Sequence, residues 1–263
     1  MPLFDFDVYN LLGTFLITFG IQVAFFVFAA GFKTDKLTDF SYGLTFIILA
    51  ALLMVFADLG DLRILVSGVL VIIWGLRLMV YLFVRILKIG KDDRFDGRRE
   101  NVVSFAMFWL LQAAAVWIIM LPSIVVLSKP AGPPIGVFFY LGAALWVIGF
   151  LIETVADQQK FVFKNDPANK GKWIQHGLWK YSRHPNYFGE VMLWFGLFVM
   201  AVPVLSGWTW AVVLGPIFIT VLLLKVSGIP LLEESADKRY GNLPEYQEYK
   251  RRTHIFLMLP PKK

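Results

Sequence analysis

Seven runs of this chain are apolar for long enough to cross a membrane as helices. They cover residues 9–32, 40–57, 62–84, 102–127, 135–156, 187–205 and 208–229. A helix needs roughly 17–25 such residues to span the hydrocarbon. No water is available there for an open backbone N–H or C=O, which leaves only helices and closed barrels. The runs are continuous rather than alternating, which argues against barrel strands. The expected fold is therefore all-α: a polytopic membrane bundle of seven transmembrane helices. It is expected to form one transmembrane domain over 1–263, with a C-terminal segment at 230–263 beyond the last span.

Composition agrees, with 58% hydrophobic and 17% charged residues against about 45–50% apolar in a soluble domain. Cysteine is absent, which excludes disulfides, thiolate metal sites and cysteine nucleophiles. The net charge of +6 comes from short connections between spans, a pattern that speaks for membrane topology rather than nucleic acid. Odd-numbered connections hold most of the cations, including Lys33, Lys36, Arg85, Lys88, Lys91, Arg94, Arg98, Arg99, Lys160, Lys164 and Lys180. Even-numbered ones hold only Arg63 and Lys129. The N-terminus is thus expected outside and the C-terminus in the cytoplasm. The opening "MPLFDFDVYN" lacks a basic leader region, so the first span is expected to remain. No internal repeat is visible, which disfavours an inverted-repeat transporter.

Polar residues inside or beside the spans carry the functional signal. Trp74, Arg77, Tyr81 and Arg85 recur at i, i+3, i+7 and i+11, one face of the third span. A charge at that depth faces a protein interior or a wet cavity, although Arg85 also suits snorkelling to the headgroups. Glu153 and Asp157 share a face near the end of the fifth span. They call for cations such as Lys160 or Lys164, for a ligand, or for ribose-type hydroxyls. The following connection is a Pro-, Gly- and Asn-containing loop rich in cations and aromatics, among them Lys164, Trp173 and Tyr181, and is a candidate to hold phosphates. No GxGxxG or P-loop pattern occurs in it, so a nucleotide would be held by side chains. In "YSRHPNYFGE", Arg183 and His184 precede Pro185, which suits the first turn of a helix; Asn186 and Glu190 then share a face. After the last span, Glu233 and Glu234 open an amphipathic segment where Tyr240, Tyr246 and Tyr249 alternate with bases. That pattern suits an interfacial helix or a ligand-covering tail. His176, His184 and His254 are too scattered for a metal site. Polar groups of spans three, five and six and of the tail are expected to line one nucleotide-sized, water-accessible chamber at the inner leaflet.

"WGLRLMVYLFVR", "GLWKYSRHPNYFGE" and "EESADKRYGNLPEYQEYKRR" together resemble the steroid 5-alpha-reductase-like membrane family, in particular its bacterial branch, many of whose members have no assigned function. The resemblance implies an NADPH-dependent oxidoreductase of the bacterial inner membrane. Its reaction would reduce an activated carbon–carbon double bond in a lipophilic, steroid-like enone, as a 3-oxo-5-alpha-steroid 4-dehydrogenase does. By that resemblance Asn186, Glu190 and Asp157 match cofactor-binding positions, Glu153 stands where the family has Asn, and Lys164 replaces a phosphate-binding Arg. Arg77 matches a third-span Arg, and Glu234 stands near a family His. The cofactor set further includes Arg85, Arg94, Trp173, Tyr181, Arg183, His184, Tyr187, Glu233, Tyr246 and Tyr249. For catalysis, Asp39 takes the place of a family Glu and Trp74 that of a family Tyr, with Tyr42 or Tyr81 as substitute. A protonated Asp39 in an apolar cavity, with a tyrosine, would bond the substrate carbonyl as enolate charge develops.

"RHPNY" with the paired glutamates also resembles the isoprenylcysteine carboxyl methyltransferase-like family. That resemblance implies S-adenosylmethionine held by Arg183, His184, Tyr187, Glu233 and Glu234, and a lipophilic methyl acceptor. Phe188, Gly189 and Glu190, the Glu153/Asp157 pair and two additional upstream spans favour the reductase. A non-enzymatic scaffold or lipid-binding protein is the third class. The expected partners are a lipophilic small molecule and membrane lipid, with no nucleic acid and no metal.

Overall fold

The structure, a computed structural model, describes residues 3–90, 92, 95–129 and 132–262. Among these, the α-helices in chain order are α1 (Leu11–Gly31), α2 (Thr38–Phe56), α3 (Leu62–Ile89), α4 (Val102–Ser128), α5 (Val137–Asn165), α6 (Pro185–Ala201), α7 (Leu214–Val221), α8 (Ile229–Tyr240) and α9 (Pro244–Arg252). Among the described residues, seven stretches are long and apolar enough to cross a membrane: α1 to α5, Pro185–Val204, and a composite helix over Gly207–Tyr240. The protein is a multi-pass, all-helical membrane protein. α3 and α5 continue past the expected span ends at 84 and 156, because a helix can leave the hydrocarbon without ending. Contacts divide the chain into two units: Met1–Tyr140 with Leu197–Gly215, and Leu141–Gly196 with Pro216–Lys263.

In the first unit, α1 begins where Asp7 accepts from the backbone N–H groups of Leu11 and Gly13, both at 2.8 Å. Such acceptors satisfy donors that the first turn leaves open. Buried polar residues recur at every fourth position from the residue before α1 into the helix: Asn10, then Thr14, Thr18 and Gln22. Asn10 donates to Ser128 Oγ at 2.9 Å, and the Trp117 indole donates to the Leu11 carbonyl at 3.1 Å. Gln112 Nε2 donates to Gln22 Oε1 at 2.9 Å and to the Thr38 carbonyl at 3.0 Å. Gln22 in turn donates to Thr45 Oγ1 at 2.8 Å. Lipid is as apolar as leucine, so hydrophobicity alone does not choose a helix partner; these bonds tie α1 to α2 and α4. α2 and α3 approach at Gly43, where a Cβ would stand 3.1 Å from the Gly75 carbonyl oxygen.

The two cations of the even-numbered connections are drawn into this unit. Arg63 is 1% exposed and donates through Nη2 to the Pro133 carbonyl at 3.0 Å. Lys129 Nζ donates to the Val204 carbonyl.

In the second unit, α5 and α6 meet along glycines. A Cβ on Gly149 would stand 2.6 Å from the Gly189 carbonyl oxygen, and one on Gly189 would stand 2.6 Å from the Glu153 backbone nitrogen. A Cβ on Gly196 would stand 2.6 Å from the Gly142 carbonyl oxygen. This spacing brings the polar ends of α5 and α6 side by side.

Two outcomes test this packing. Gly189→Ala pushes α5 and α6 apart and costs about 1–3 kcal/mol, whereas Gly20→Ala, where a Cβ meets nothing within 4 Å, costs nothing and gains helix propensity; thermal unfolding in detergent measures both. Gln112→Leu removes the donor shared by Gln22 and Thr38 and costs about 1 kcal/mol by the same measurement.

Candidate functional site

The second unit gathers most of the sequence-predicted polar residues, and its geometry begins with a backbone irregularity. After α7, residues Leu222–Val226 form a wider π turn, closed by Ser227 N–H donating to the Leu222 carbonyl at 2.9 Å. Gly228 follows; a Cβ there would lie 2.5 Å from the Leu223 carbonyl oxygen, too close for any other residue without a shift. Pro230, in the first turn of α8, suits a helix start. Glu233 is thereby presented one turn later.

Glu233 meets Arg183 in a two-point fork: Nε to Oε1 at 3.2 Å and Nη2 to Oε2 at 2.9 Å. Arg183 Nη1 donates to the carbonyls of Lys250 at 2.8 Å and Thr253 at 3.2 Å. The planar guanidinium is well matched to such a set. Its donors are engaged by protein groups, so Arg183 positions α8 and the segment after α9 in this structure. His184 Nε2 lies 2.8 Å from Glu233 Oε1, and its ring stacks on Tyr187 at 5.7 Å with 9° between planes. Burial holds the His184 pKa below its ordinary value, against the opposing bond to Glu233. Glu234 points elsewhere, to Lys238 at 2.6 Å on the exposed side of α8. Only one of the paired glutamates therefore joins the cluster, because adjacent helical residues face different directions.

The end of the chain is knitted to the same segment. Arg183 N–H donates to the His254 carbonyl at 2.8 Å and Ser182 Oγ to the Phe256 carbonyl at 2.9 Å. Tyr249 OH donates to the Trp179 carbonyl at 2.9 Å. Trp173 packs with Tyr240, Tyr246 and Tyr249 at centroid distances of 5.6, 5.1 and 6.4 Å. Its indole nitrogen is buried without a hydrogen-bond partner among the described residues. Burial raises the Tyr246 pKa to about 12 and also pushes Tyr249 upward, so both phenols stay protonated at neutral pH. Lys164 lies over the Tyr240 ring at 5.9 Å, and Tyr181 is exposed.

On the facing helices, Glu153 and Asp157 of α5 are 2% and 5% exposed and Glu190 of α6 is 9% exposed. Asn186, in the first turn of α6, donates to Asp157 Oδ1 at 3.1 Å. Carboxylates and a carboxamide buried together are acceptors and donors of the kind that bind hydroxyl-rich ligands. A cleft of about 440 Å³ lies beside α5, lined by Gln158, Gln159, Phe163, Asn169 and His176 among others, and includes none of the sequence-predicted site residues.

The remaining candidates belong to the first unit. Asp39 is held by Arg85 Nη2 at 3.2 Å, and Arg85 also lies 3.7 Å from Asp92. The apolar cavity expected around Asp39 thus gives way to an ion pair, because Arg85 at the end of α3 reaches the start of α2. Trp74 is fully buried and packs edge-on against Phe46 at 5.1 Å. Tyr42 packs on the same Phe46 at 5.2 Å. The Arg77 guanidinium lies over the Tyr81 ring at 5.3 Å. Arg94 lies outside the described residues. Sequence reasoning missed Asp35, 4% exposed, which accepts from the Asp92 N–H at 2.7 Å and from Arg99 at 3.1 Å. It also missed the carbonyl acceptors of Lys250 and Thr253. Backbone carbonyls leave no trace in residue identity.

No solved structure matches this chain. Over 77 residues it is 40% identical to 3-oxo-5-alpha-steroid 4-dehydrogenase 1 of Bos taurus, a stretch that covers 28% of this chain and 28% of that enzyme. The chain thus spans less than a third of the curated relative that it matches. Residues 25–253 match a family described as "Protein of unknown function (DUF1295)". With most of its length inside that match, the chain belongs to the DUF1295 family.

Proposed function

We propose that this protein is an NADPH-dependent membrane reductase of an activated carbon–carbon double bond in a lipophilic, steroid-like enone. The observation that carries the reading is the buried Asp157–Asn186 pair with Glu153 and Glu190, in a chain partly similar to the bovine steroid dehydrogenase. Bound NADPH supplies the hydride for the double bond. The chain's part is recognition and charge. Asn186 and the acids of α5 and α6 hold hydroxyl and amide groups of the cofactor. Lys164 at the end of α5 serves its phosphates, since Arg183 is engaged by Glu233 and carbonyls. In the first unit Asp39 is engaged by Arg85, so a tyrosine hydroxyl is the donor for the substrate carbonyl. Tyr81, held under Arg77, is the residue we assign. Donors placed where negative charge develops lower the barrier. The cation distribution supports a cytoplasmic C-terminus, and the resemblance to the bacterial branch of the steroid 5-alpha-reductase-like family supports a bacterial inner-membrane setting.

One observation favours a second reading. Arg183, His184, Tyr187 and Glu233, the residues of the methyltransferase-like resemblance, form one cluster. Glu234 faces away from it.

Thermal unfolding of the detergent-purified chain separates the two. A ligand that binds only the folded state adds about 2.7 kcal/mol of stability at a hundredfold excess over Kd, and the melting temperature rises accordingly. NADPH is expected to give that shift and S-adenosylmethionine none; the reverse result would replace the reductase by the methyltransferase. Asp157→Asn is expected to weaken NADPH binding about tenfold while the ligand-free protein melts near wild type. Tyr81→Phe should lower turnover of an enone about a hundredfold with the NADPH shift unchanged, which single-turnover kinetics and the melting assay check together.

A further inference from the structure

The fork between Arg183 and Glu233 leaves one nitrogen of His184 unused. His184 is 4% exposed. Its Nε2 faces Glu233 Oε1 at 2.8 Å. An ionised carboxylate can only accept, so Nε2 carries the proton. Glu233 is itself fixed by Arg183 on both oxygens, with Lys250 Nζ 3.7 Å away. The tautomer and the direction of the ring are therefore set by a charged pair that cannot easily turn. Burial, with Lys160 and Arg183 nearby, keeps the ring neutral at pH 7.

The other nitrogen, Nδ1, is then a lone pair. It is buried and has no hydrogen-bond partner among the described residues. Stacking on Tyr187 at 9° between planes limits any rotation that would give it one. Buried acceptors without donors are rare in native proteins, and each calls for a missing partner. Pro185 follows His184 directly, and Asn186 and Glu190 stand on the first turns of the same helix. His184 therefore sits at the head of the α6 face already assigned to the cofactor.

We propose that His184 Nδ1 accepts a hydrogen bond from an N–H or O–H group of the bound cofactor, with Glu233 and Arg183 as positioning residues that fix the imidazole tautomer. The proposal rests on the NADPH reading above and adds to it the class of group read at this point. In NADPH the donors of that class are the carboxamide of the nicotinamide, the adenine amino group and the ribose hydroxyls.

Two substitutions divide the two nitrogens. His184→Gln keeps a donor at the level of Nε2 for Glu233 and lacks the Nδ1 lone pair. His184→Asn keeps an acceptor at the level of Nδ1 and loses the bond to Glu233. Melting curves of the full detergent-purified chain against NADPH concentration give the ligand-free melting temperature and Kd for each. His184→Gln is expected to melt near wild type without ligand and to bind NADPH about tenfold more weakly. His184→Asn is expected to melt lower without ligand yet to bind more tightly than His184→Gln, a crossing that a purely structural histidine would not produce. The reduced 3-acetylpyridine analogue, which replaces the carboxamide by a methyl ketone, then locates the donor. If the carboxamide is the donor, the wild type falls to the affinity of His184→Gln and the variant falls no further. If an amino group or hydroxyl is the donor, both fall equally. Wild-type NADPH affinity in His184→Gln would overturn the assignment of Nδ1 alone. Absence of an NADPH shift in the wild-type protein would instead remove the cofactor reading and this inference with it.

Discussion

The whole molecule answers to one constraint: across most of its length no water is at hand to pair with a polar group. Helices meet it for the backbone, since every interior N–H and C=O bonds within its own segment. Side chains must meet it by finding each other. Gln22, Gln112, Ser41 and Thr45 do so at zero to 8% exposure, and their mutual bonds give α1, α2 and α4 a register that apolar packing alone would leave open. Lys129 turns inward onto the Val204 carbonyl, and Arg63 does so in part, through Nη2 on the Pro133 carbonyl. They are the two exceptions to the cation asymmetry of the connections.

The same constraint shapes the candidate site. Glu153, Asp157 and Glu190 are buried acids, a costly arrangement unless bonded. The glycines of α5 and α6 let the two backbones close to the distance at which Asn186 reaches Asp157. At the other end, a π turn and Gly228 redirect the chain so that Glu233 comes under Arg183. Wider turns of this kind recur at functional sites. Arg183 then ties together α8, the end of α9 and the segment that follows it, so residues 250–254 belong to the site's framework.

Much of the fold was legible in the residues because a spanning helix leaves a long apolar run, and run length is a local property. The i, i+4 spacing of Glu153 with Asp157, and of Asn186 with Glu190, placed each pair on one helix face. Other expectations needed three dimensions. Trp74, which stands where the family has a catalytic Tyr, is fully buried and packs edge-on against Phe46. Asp39 is met by Arg85 instead of apolar groups. Glu233 and Glu234, equivalent as letters, part company by helical rotation, one to Arg183 and one to the surface. Asp35, which gathers Arg99 and the Asp92 backbone, carries no sequence signal at all.

The amino-acid sequence by itself determined that this chain is a seven-span helical membrane protein with polar residues concentrated at the ends of its spans. Hydrophobic length and helical period are read along the chain, one segment at a time. Tertiary structure alone decided which of those polar residues are paired and which keep an unused donor or acceptor. The decisive bonds join residues far apart in sequence, such as Arg183 with Glu233 at a separation of 50. In surroundings without water, the partner a polar group finds decides whether it supports the fold or remains available to a ligand.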